Sequence, residues 1–396
     1  MRGTSQTQEA TLGAPSLRRI GFNLLYLVPG HVGGSEVYAN ELLTALHELA
    51  PELELVVYCA PEARSLLTQM PWASAAALVP APMPSRKKPA RFVLEQTWLP
   101  ARAIRDRVQL LHSLGTTAPV LGRVPSVVTI LDLIYHHVPS TFPLASRLGL
   151  ELIVPLAARR ADAIIAISQA GSDDVAATLA IAPEQIAVAP LGFGVSDAPA
   201  PTAPEVLRSR YALNDEQAVI LCASAALPHK NLERLITSIS QLAPAHDVVL
   251  VLVGHSGRDT ERLSAHARRA GVSERVRLTG WIERPDLEGL YELARVFAYP
   301  SLIEGFGIPL LEAMARGVPV ASSSAAALAE VGGDAAEYFD PLDVSTMAGA
   351  IARLLDEEPR RGELIALGRA RARTFTWERC ARDTLAVYRR IACAGA

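Results

Sequence analysis

The chain has 396 residues, of which 38 are basic and 41 acidic, and its formal net charge is −3. Half of the residues are hydrophobic and a fifth are charged, which permits large cores and argues against global disorder. Neither half is basic enough to indicate nucleic-acid binding, and the length predicts two domains.

The cysteines and the apolar runs limit the cellular environments in which the protein is expected. Cys59 and Cys222 follow apolar runs and are predicted to be buried thiols, and the chain has no Cys-x-x-Cys or cysteine–histidine metal spacing. Such cysteine usage is typical of a reducing cytoplasm. No uncharged apolar run approaches about eighteen residues, so no transmembrane helix is predicted. Residues 1–16 are predicted to be a disordered tail.

The first domain opens with a strand, a glycine loop and a helix. Residues 19–26 are predicted to be a buried strand, Gly33 and Gly34 lie in the loop after it, and residues 37–49 have helical apolar spacing. This order is the beginning of a Rossmann-like domain. The loop lacks Gly-x-Gly-x-x-Gly spacing, so no dinucleotide cofactor is indicated. A tight turn between strand and helix is the alternative role for the two glycines.

Residues 80–91 are proline-rich and are predicted to be irregular. They carry a basic cluster, which consists of Arg86, Lys87, Lys88 and Arg91. Such a cluster is ordinarily a solvated loop. It also suits contact with an anionic membrane or with an acceptor that carries a pyrophosphate.

Two further strands complete the first domain, which is placed at 17–195. Residues 126–131 are predicted to be a buried strand that leads to Asp132. Residues 161–168 are a second strand, and the helix after it is capped near Ser168 or Ser172. Residues 196–204 are rich in proline and alanine and predict the domain boundary.

The second domain, placed at 205–375, repeats the alternation. Residues 218–223 are predicted to be a strand, and a loop that ends near Lys230 leads into a helix at 232–242. A cation just before a helix N-terminus adds charge to an anion site, so Lys230 is predicted to bind a diphosphate and to stabilise it as it leaves. A capping lysine in solvent is the alternative.

The strongest motif follows a predicted strand at 296–299. Two carboxylates, Glu304 and Glu312, lie eight residues apart around a loop with Gly305 and Gly307, and a helix begins near Pro309. The helix N-terminus offers free N–H groups to an anion, and the glycines let a phosphate approach the backbone. One phosphate site between two carboxylates suits a nucleotide sugar. A surface loop and a helix with solvated glutamates are the alternative.

The motif sequence resembles a known enzyme signature. Residues 300–320 read Pro-Ser-x-x-Glu-Gly-Phe-Gly-x-Pro-x-x-Glu-Ala-Met-Ala-x-Gly-Val-Pro-Val, which resembles the signature of retaining glycosyltransferases of the GT-B fold, family 4 type. The resemblance implies an α/β architecture of two Rossmann-like domains whose parallel sheets face each other across a cleft. It implies that the first domain holds the acceptor and the second the nucleotide sugar. It also implies that a C-terminal helix at 376–396 crosses back to the first domain.

The resemblance also implies roles for individual residues. Lys230, Glu304 and Asp132 would be catalytic, with Glu304 binding the donor sugar or stabilising positive charge at its anomeric carbon. Glu312 would bind the ribose hydroxyls. Trp281 would pack on the nucleobase, although core packing is an alternative for that tryptophan. The implied donor contacts are Gly33, Gly34, Ser168, Trp281, Gly305, Phe306, Gly307 and Glu312.

Two positions depart from the family pattern. Leu131 stands where members often carry a histidine before the aspartate, and His136 and His137 follow in the next loop. Ala225 stands where many members carry an arginine. The second cation of the diphosphate site is therefore missing or supplied from elsewhere.

The sequence thus predicts a retaining hexosyltransferase that takes a GDP- or UDP-sugar donor and a saccharide or lipid-linked saccharide acceptor. Surface polysaccharide or glycoconjugate synthesis is the expected setting. The chain contains no Asp-x-Asp, so a reaction without metal or cofactor is predicted. A nucleotide-sugar epimerase and a non-catalytic nucleotide-sugar-binding partner of another transferase remain open. The expected location is the cytoplasm, with peripheral contact at the inner membrane face as an option.

Overall fold

The computed structural model describes residues 17–28, 33–84, 88–194, 199–254 and 257–394. Several predictions fall outside these described residues. They concern the tail at 1–16, part of the first glycine loop at 29–32, Arg86 and Lys87 of the basic cluster, the start of the linker at 196–198, and the last two residues of the C-terminal helix.

The first domain is built on a seven-stranded parallel sheet with the order β3-β2-β1-β4-β5-β6-β7. Its strands are β1 Arg19–Leu24, β2 Glu54–Cys59, β3 Ala76–Pro80, β4 Leu110–Ser113, β5 Ser126–Ile130, β6 Ala163–Ala166 and β7 Ile186–Val188. Its helices are α1 Gly34–Leu49, α2 Arg64–Leu67, α3 Lys88–Gln96, α4 Trp98–Arg105, α5 Ile134–His137, α6 Leu144–Arg160 and α7 Gln169–Leu179. Near-continuous burial along the central strands shows that helices cover both faces of the sheet.

The second domain is built on a six-stranded parallel sheet with the order β10-β9-β8-β11-β12-β13. Its strands are β8 Ala218–Ala223, β9 Val248–Val253, β10 Val276–Gly280, β11 Ala294–Tyr299, β12 Val320–Ser323 and β13 Glu337–Phe339. The helices are α8 Pro204–Tyr211, α9 Leu232–Leu242, α10 Gly257–Arg269, α11 Arg284–Leu293, α12 Ile308–Ala315, α13 Ala326–Gly332, α14 Val344–Asp356, α15 Glu358–Ala372 and α16 Trp377–Ala394. Short 3-10 helices lie at Pro61–Ala63, Pro71–Ala75, Pro139–Thr141, Pro183–Gln185, Pro228–Lys230, Ser273–Arg275 and Gly333–Ala335.

The prediction of an irregular segment at 80–91 is wrong at its end, because α3 begins at Lys88. Pro89 is the second residue of this helix, where the missing N–H of proline removes no helical hydrogen bond. At α7 the structure decides between the two predicted caps. Ser168 is the N-cap, since its Oγ accepts from the N–H of Gly171 at 2.9 Å, and Ser172 lies inside the helix.

Two predictions from composition can be compared with the fold. Cys59 and Cys222 are buried free thiols, as predicted, and burial raises their pKa to about 11 and about 12. Both are therefore protonated and unreactive at neutral pH. None of the helices in the described ranges combines the length and the apolar character that crossing a bilayer requires.

The last helix, α16, lies against α1 of the first domain and is held there by a buried polar chain. The hydroxyl of Tyr388 on α16 is 2.6 Å from Nδ1 of His112 on β4. Nε2 of His112 is 2.8 Å from the hydroxyl of Thr129, which in turn is 2.9 Å from the hydroxyl of Tyr38 on α1. All four side chains are fully buried, so each polar atom needs this partner and the chain fixes the position of α16.

Two buried histidines are neutral in the folded protein. Burial lowers the pKa of His112 from 6.5 to about 3. Burial, together with the neighbouring Lys230 ammonium, lowers the pKa of His229 from 6.5 to about 4. Between 6.5 and these folded values the unfolded chain binds protons that the folded protein does not, so acid favours unfolding.

We therefore expect the free energy of unfolding to fall as the pH drops below 6.5 toward the folded pKa values of about 3 and about 4. His112→Gln keeps polar groups for Tyr388 and Thr129 but removes one titrating site. Within that window its slope of unfolding free energy against pH should be smaller than that of the wild type by about 1.4 kcal/mol per pH unit. Urea unfolding at a series of pH values measures both slopes. Equal slopes would show that folding does not depress the pKa of His112.

Candidate active site

Each sheet has a point beside its first strand where the strand order reverses. In the first sheet β1 lies between β2 and β4, and in the second sheet β8 lies between β9 and β11. The connections that leave such a pair of strands cross to opposite faces of the sheet. This leaves a crevice at the carboxyl ends of the two strands, where α/β proteins bind ligands. The fold therefore offers one crevice in each domain.

Lys230 and Glu304 meet at the crevice of the second domain. Lys230 ends the 3-10 helix that follows β8, and Glu304 lies in the loop after the adjacent strand β11. The Lys230 Nζ is 2.5 Å from Oε1 of Glu304, and the hydroxyl of Tyr299 donates to the same oxygen at 2.9 Å. The two charged side chains are only 15% and 9% exposed. The site therefore holds a largely buried ion pair.

The ion pair keeps Glu304 ionised despite its burial. Burial by itself raises the pKa of Glu304, but the Lys230 ammonium and the hydrogen bonds from Lys230 and Tyr299 hold that pKa below its ordinary value. The crevice thus presents a fixed carboxylate, which accepts hydrogen bonds from hydroxyl groups, beside a fixed ammonium, which attracts phosphate.

Glu312 lies on α12 and has a separate set of partners. Its carboxylate accepts from the hydroxyl of Tyr291 at 3.2 Å and from Arg284 at 3.3 Å. Glu288 binds both Arg284, at 2.6 Å, and Arg316, at 2.5 and 2.6 Å. Glu312 is therefore part of an ionic cluster between α11 and α12, whereas Glu304 has a single lysine partner.

Two glycines shape the loop between Glu304 and α12. Gly307 is the N-cap of α12 and has φ 119°, in the left-handed region. A Cβ at Gly305 would come within 2.1 Å of the carbonyl oxygen of Leu131, so only glycine lets this loop lie against the first domain. Phe306 is buried, and its ring packs edge-on against Phe375 at 5.5 Å between centroids. Its ring is thus a core group, and a donor contact by Phe306 stays a prediction.

The contact of Gly305 with Leu131 brings Asp132 to the ion pair. Asp132 follows β5, and its Oδ1 accepts from the N–H of Ile134 at 3.0 Å. Burial raises the pKa of Asp132, and the negative charge of Glu304 raises it further. A Cβ at Gly305, the residue after Glu304, would lie 3.3 Å from the Cβ of Asp132, so Asp132 of the first domain lies beside the Lys230–Glu304 pair of the second.

Ser168 joins the two domains. Its hydroxyl donates to the carbonyl oxygen of Gly305 at 2.9 Å and accepts from the N–H of Gly171. The side chain is fully buried. The structure therefore gives Ser168 a contact that positions the glycine loop, and the donor contact that the resemblance implies for it stays a prediction.

Glu330, on α13 of the second domain, caps α7 of the first. Its carboxylate accepts from the backbone N–H of Gln169 at 2.8 Å and of Ala170 at 2.7 Å. Arg371 donates a hydrogen bond to the backbone oxygen of Glu330 at 2.7 Å. A carboxylate at a helix N-terminus satisfies free N–H groups and interacts favourably with the helix dipole. This cap therefore holds the domains together beside the crevice.

The remaining predicted donor residues lie at exposed positions. A Cβ at Gly33 or Gly34, at the start of α1, would meet nothing within 4 Å. Trp281 is 77% exposed, so the alternative that it packs in the core is wrong. It follows Gly280, whose carbonyl accepts from the N–H of Gly254 at 2.8 Å at the carboxyl ends of β9 and β10.

The structure shows what lies near the two family departures. His137, in the loop after Leu131, is bound to Asp174 of α7 at 2.7 Å. The loop that contains Ala225 is approached by a cation from α10, since Arg262 donates to the carbonyl of Ala226 at 3.2 Å and pairs with Glu233.

The first-domain crevice contains a buried polar cluster that the sequence analysis did not single out. Asn23, near the end of β1, donates to Glu95 at 2.7 Å and to Ser113 at 3.1 Å, and Thr117 donates to Glu95 at 3.0 Å. Glu95 is 3% exposed, and its Oε2 has no hydrogen-bond partner among the described residues. Burial raises its pKa. The sequence signal that could have indicated this cluster is Glu95 itself, a glutamate next to the apolar Leu94 on the buried face of α3.

Together these groups can bind a phosphorylated, hydroxyl-rich ligand. Lys230 and the N-terminus of α12 offer positive charge, and Glu304 and Glu312 offer acceptors for hydroxyl groups. Within the ranges that the structure describes, no group of three or more histidine, cysteine, aspartate or glutamate side chains is arranged to hold a metal ion.

The two halves of the chain match two family models. Residues 32–196 match the model described as glycosyltransferase family 4. Residues 205–371 match the model described as glycosyl transferases group 1. The first match covers strands β2 to β7 of the first sheet together with Glu95, and the second covers the sheet with Lys230, Glu304 and Glu312.

Curated relatives include three bacterial glycosyltransferases. O-antigen chain mannosyltransferase B of Escherichia coli is 38% identical over 165 residues, 41% of this chain and 43% of that protein. The MMP alpha-(1->4)-mannosyltransferase of Mycolicibacterium hassiacum is 34% identical over 237 residues, 58% and 54% of the two chains. The D-inositol 3-phosphate glycosyltransferase of Xylanimonas cellulosilytica is 32% identical over 306 residues, 74% and 68%. The chain thus spans about half the length of the first two of these relatives.

Solved structures show the same fold over nearly the whole chain. Sucrose-phosphate synthase from Thermosynechococcus elongatus has a TM-score of 0.74 at 20% identity, covering 95% of this chain and 100% of that one. Anabaena HepE in complex with UDP and glucose has a TM-score of 0.71 at 20% identity, covering 94% and 99%. At these identities the likeness is one of fold.

The cap between the domains gives a testable prediction. Glu330→Ala removes the carboxylate from the N-terminus of α7, which typically costs about 1 kcal/mol. Because the lost bonds join two domains, we expect a larger radius of gyration by small-angle X-ray scattering and a lower unfolding temperature.

Glu363→Ala is the matched control, because Glu363 forms only an exposed ion pair with Arg360 on the same helix. It should change neither quantity, since exposed pairs contribute little. If Glu330→Ala scatters like the control, the cap does not hold the domains together.

Proposed function

Because the chain belongs to the group 1, family 4 glycosyltransferases and has their GT-B fold, we propose that it transfers a hexose, with retention of configuration, from a nucleoside diphosphate sugar to a saccharide. The observation that carries the proposal is the buried Lys230–Glu304 pair, which lies at the switch point of the second sheet beside the N-terminus of α12. A mannosyltransferase among the relatives that is named as GDP-mannose-dependent favours GDP-mannose as donor, and the UDP complex of HepE makes a UDP-sugar the second candidate.

The donor half of the reaction uses the second domain. When the bond between the anomeric carbon and the phosphate oxygen breaks, negative charge collects on the diphosphate and positive charge on the sugar. Lys230 and the free N–H groups of α12 stabilise the diphosphate, which is why no metal is required. Glu304 binds the hydroxyls of the transferred sugar or stabilises the positive charge at its anomeric carbon. Glu312 binds the ribose hydroxyls.

The acceptor half uses the first domain. Asp132 faces the ion pair from that domain, and its raised pKa makes the carboxyl a better proton acceptor near neutral pH. It is placed to receive a hydrogen bond from a sugar hydroxyl at the bond that forms. The Asn23–Glu95–Thr117 cluster contributes fixed polar groups to the acceptor crevice.

The contacts between the domains protect the donor from water. Gly305 packs on Leu131, Ser168 binds the Gly305 carbonyl, and Glu330 caps α7, all beside the ion pair. A closed cleft of this kind excludes water and disfavours hydrolysis of the donor before the acceptor binds.

The acceptor is proposed to be a saccharide or lipid-linked saccharide used in surface polysaccharide or glycoconjugate synthesis. The similarity to the O-antigen chain mannosyltransferase B supports this class of acceptor, and the chain covers 43% of that protein. We place the reaction on the cytoplasmic side, with peripheral membrane contact and no nucleic-acid partner.

The first experiment incubates the purified protein with GDP-mannose, UDP-glucose and other nucleotide sugars, with and without EDTA. Free nucleoside diphosphate is the measured product, and the anomeric configuration of any transferred sugar is read by NMR. Slow release from one donor, unchanged by EDTA, is the expected result.

Each other outcome has a definite meaning. Binding without release, on any acceptor, would favour the non-catalytic nucleotide-sugar-binding partner that the departures at Leu131 and Ala225 keep open. An isomerised nucleotide sugar without an acceptor would identify an epimerase. No binding of any donor would overturn the roles of Lys230, Glu304 and Glu312 together.

Substitutions of Glu304 and Glu312 are expected to affect catalysis and donor binding separately. Glu304→Ala removes a group that interacts with charge formed in the transition state, so kcat should fall about 100-fold with little change in donor affinity. Glu312→Ala removes a hydrogen bond to the ribose, so the Kd of the nucleoside diphosphate should rise about tenfold with a smaller loss of kcat.

Glu292→Ala is the control for both variants, because Glu292 is an exposed residue of α11. Titration calorimetry gives the affinity and a coupled assay gives kcat. The opposite pattern, with Glu304 governing affinity and Glu312 governing kcat, would exchange the two roles.

A further inference from the structure

Helix α6 carries a row of exposed leucines on its outer face. Leu144, Leu148, Leu152 and Leu156, which we call the leucine ridge, recur every fourth residue and are 62%, 52%, 64% and 40% exposed. The spacing places them on one stripe of the 17-residue helix, which extends roughly 18 Å from the first leucine to the last. The opposite face, with Val154, Ala157 and Ala158, is buried against the sheet. A helix that is apolar on both faces is expected to be covered on both.

Neighbouring elements extend the apolar surface. A Cβ built at Gly149 of α6 would lie 3.5 Å from the ring of Phe92, so α6 packs beside α3, where Val93 is 60% exposed. At the other end, Arg160 donates to the carbonyl of Gly122 at 2.6 Å, next to Leu121, which is 78% exposed. The exposed apolar groups therefore belong to one face of the first domain, made of α3, α6 and the loop at 119–124.

The charges on this face are mainly basic. Within α6, Glu151 is neutralised by Arg147 at 3.3 Å, which leaves the exposed Arg159 and Arg160 as its excess charge. Arg123, in the adjoining loop, is also exposed. Basic side chains beside exposed leucines are the combination that binds anionic lipid surfaces, because the arginines attract the headgroups and the leucines enter the apolar boundary.

We propose that the leucine ridge is a docking surface for a bilayer that contains anionic phospholipid. The surface consists of side chains that the proposed transfer reaction does not use, and the argument for it needs only their exposure and charge. A second copy of the chain is the competing occupant of the ridge, and the test below separates it from a bilayer.

The position of α6 connects this surface with the crevice, a step that does rest on the proposed function. Thr141, three residues before α6 begins, has its Oγ1 3.3 Å from Nδ1 of His229, the residue before Lys230. The ridge therefore starts beside the cleft and runs away from it. A bilayer on the ridge lies next to the cleft entrance, so a lipid-linked saccharide can reach the site while its lipid stays in the membrane.

The test measures binding of the full-length protein to vesicles without any substrate. Vesicles of phosphatidylcholine with phosphatidylglycerol, and vesicles of phosphatidylcholine alone, are sedimented at low and at high salt. We expect binding to the anionic vesicles that high salt weakens, and little binding to the neutral ones. The double variant Leu148→Ser with Leu152→Ser should lower the partition coefficient at least about tenfold.

The control is the double variant Leu49→Ser with Leu367→Ser, which removes two exposed leucines from helices outside this face and should bind like the wild type. Thermal unfolding checks that both variants are folded, and nucleotide release from the donor should be the same for both. Donor turnover by a protein that does not bind vesicles would overturn the docking surface alone. Vesicle binding without turnover would leave the surface in place and count against the transfer reaction.

Two other results would also overturn the proposal. One is a ridge variant that binds vesicles as tightly as the wild type. The other is a wild-type dimer by light scattering that the ridge variant converts to a monomer, because the ridge would then be covered by a second copy of the chain.

Discussion

The ion pair between Lys230 and Glu304 is the interaction on which the site depends, and the pair depends on the adjacency of two parallel strands. Its members are 74 residues apart in the sequence and meet because β8 and β11 adjoin at the switch point. Burial of a lone lysine or glutamate at this position would favour its neutral form. Glu304 keeps its charge because the Lys230 ammonium lies beside it, and Tyr299 donates a further hydrogen bond to the carboxylate.

The second constraint is that the site is completed by the other domain. Asp132 reaches the ion pair only because Gly305 has no side chain to strike the Leu131 carbonyl. Ser168 and Glu330 hold the two domains in contact at this point. The Ser168 hydroxyl donates to the Gly305 carbonyl, and the Glu330 carboxylate accepts from the N-terminus of α7. The helix α16, tied to His112 through Tyr388, returns the end of the chain to the first domain. The contacts of Gly305, Ser168 and Glu330 therefore both join the two domains and bring Asp132 to the ion pair.

The polar groups of the first domain have a different physical character from those of the second. The Asn23–Glu95–Thr117 cluster holds a carboxyl whose pKa is raised by burial and one of whose oxygens lacks a partner among the described residues. Such a carboxyl group suits neutral polar ligands, whereas the Lys230–Glu304 pair suits a ligand that carries charge. This division agrees with the proposed transfer, in which the second domain holds the charged donor and the first domain holds the saccharide acceptor.

The sequence by itself determined the alternation of strands and helices and the motif at 300–320, because apolar periodicity and glycine spacing are local properties of the chain. It therefore identified the Glu304 and Lys230 loops and the two-domain α/β fold. It could not show that Phe306 and Ser168 face protein, that α3 begins at Lys88, or that Glu95 is buried beside Asn23. Those facts depend on which strands adjoin and how the domains meet. Only the tertiary structure decides them, because burial and partnership are properties of residues distant in the chain.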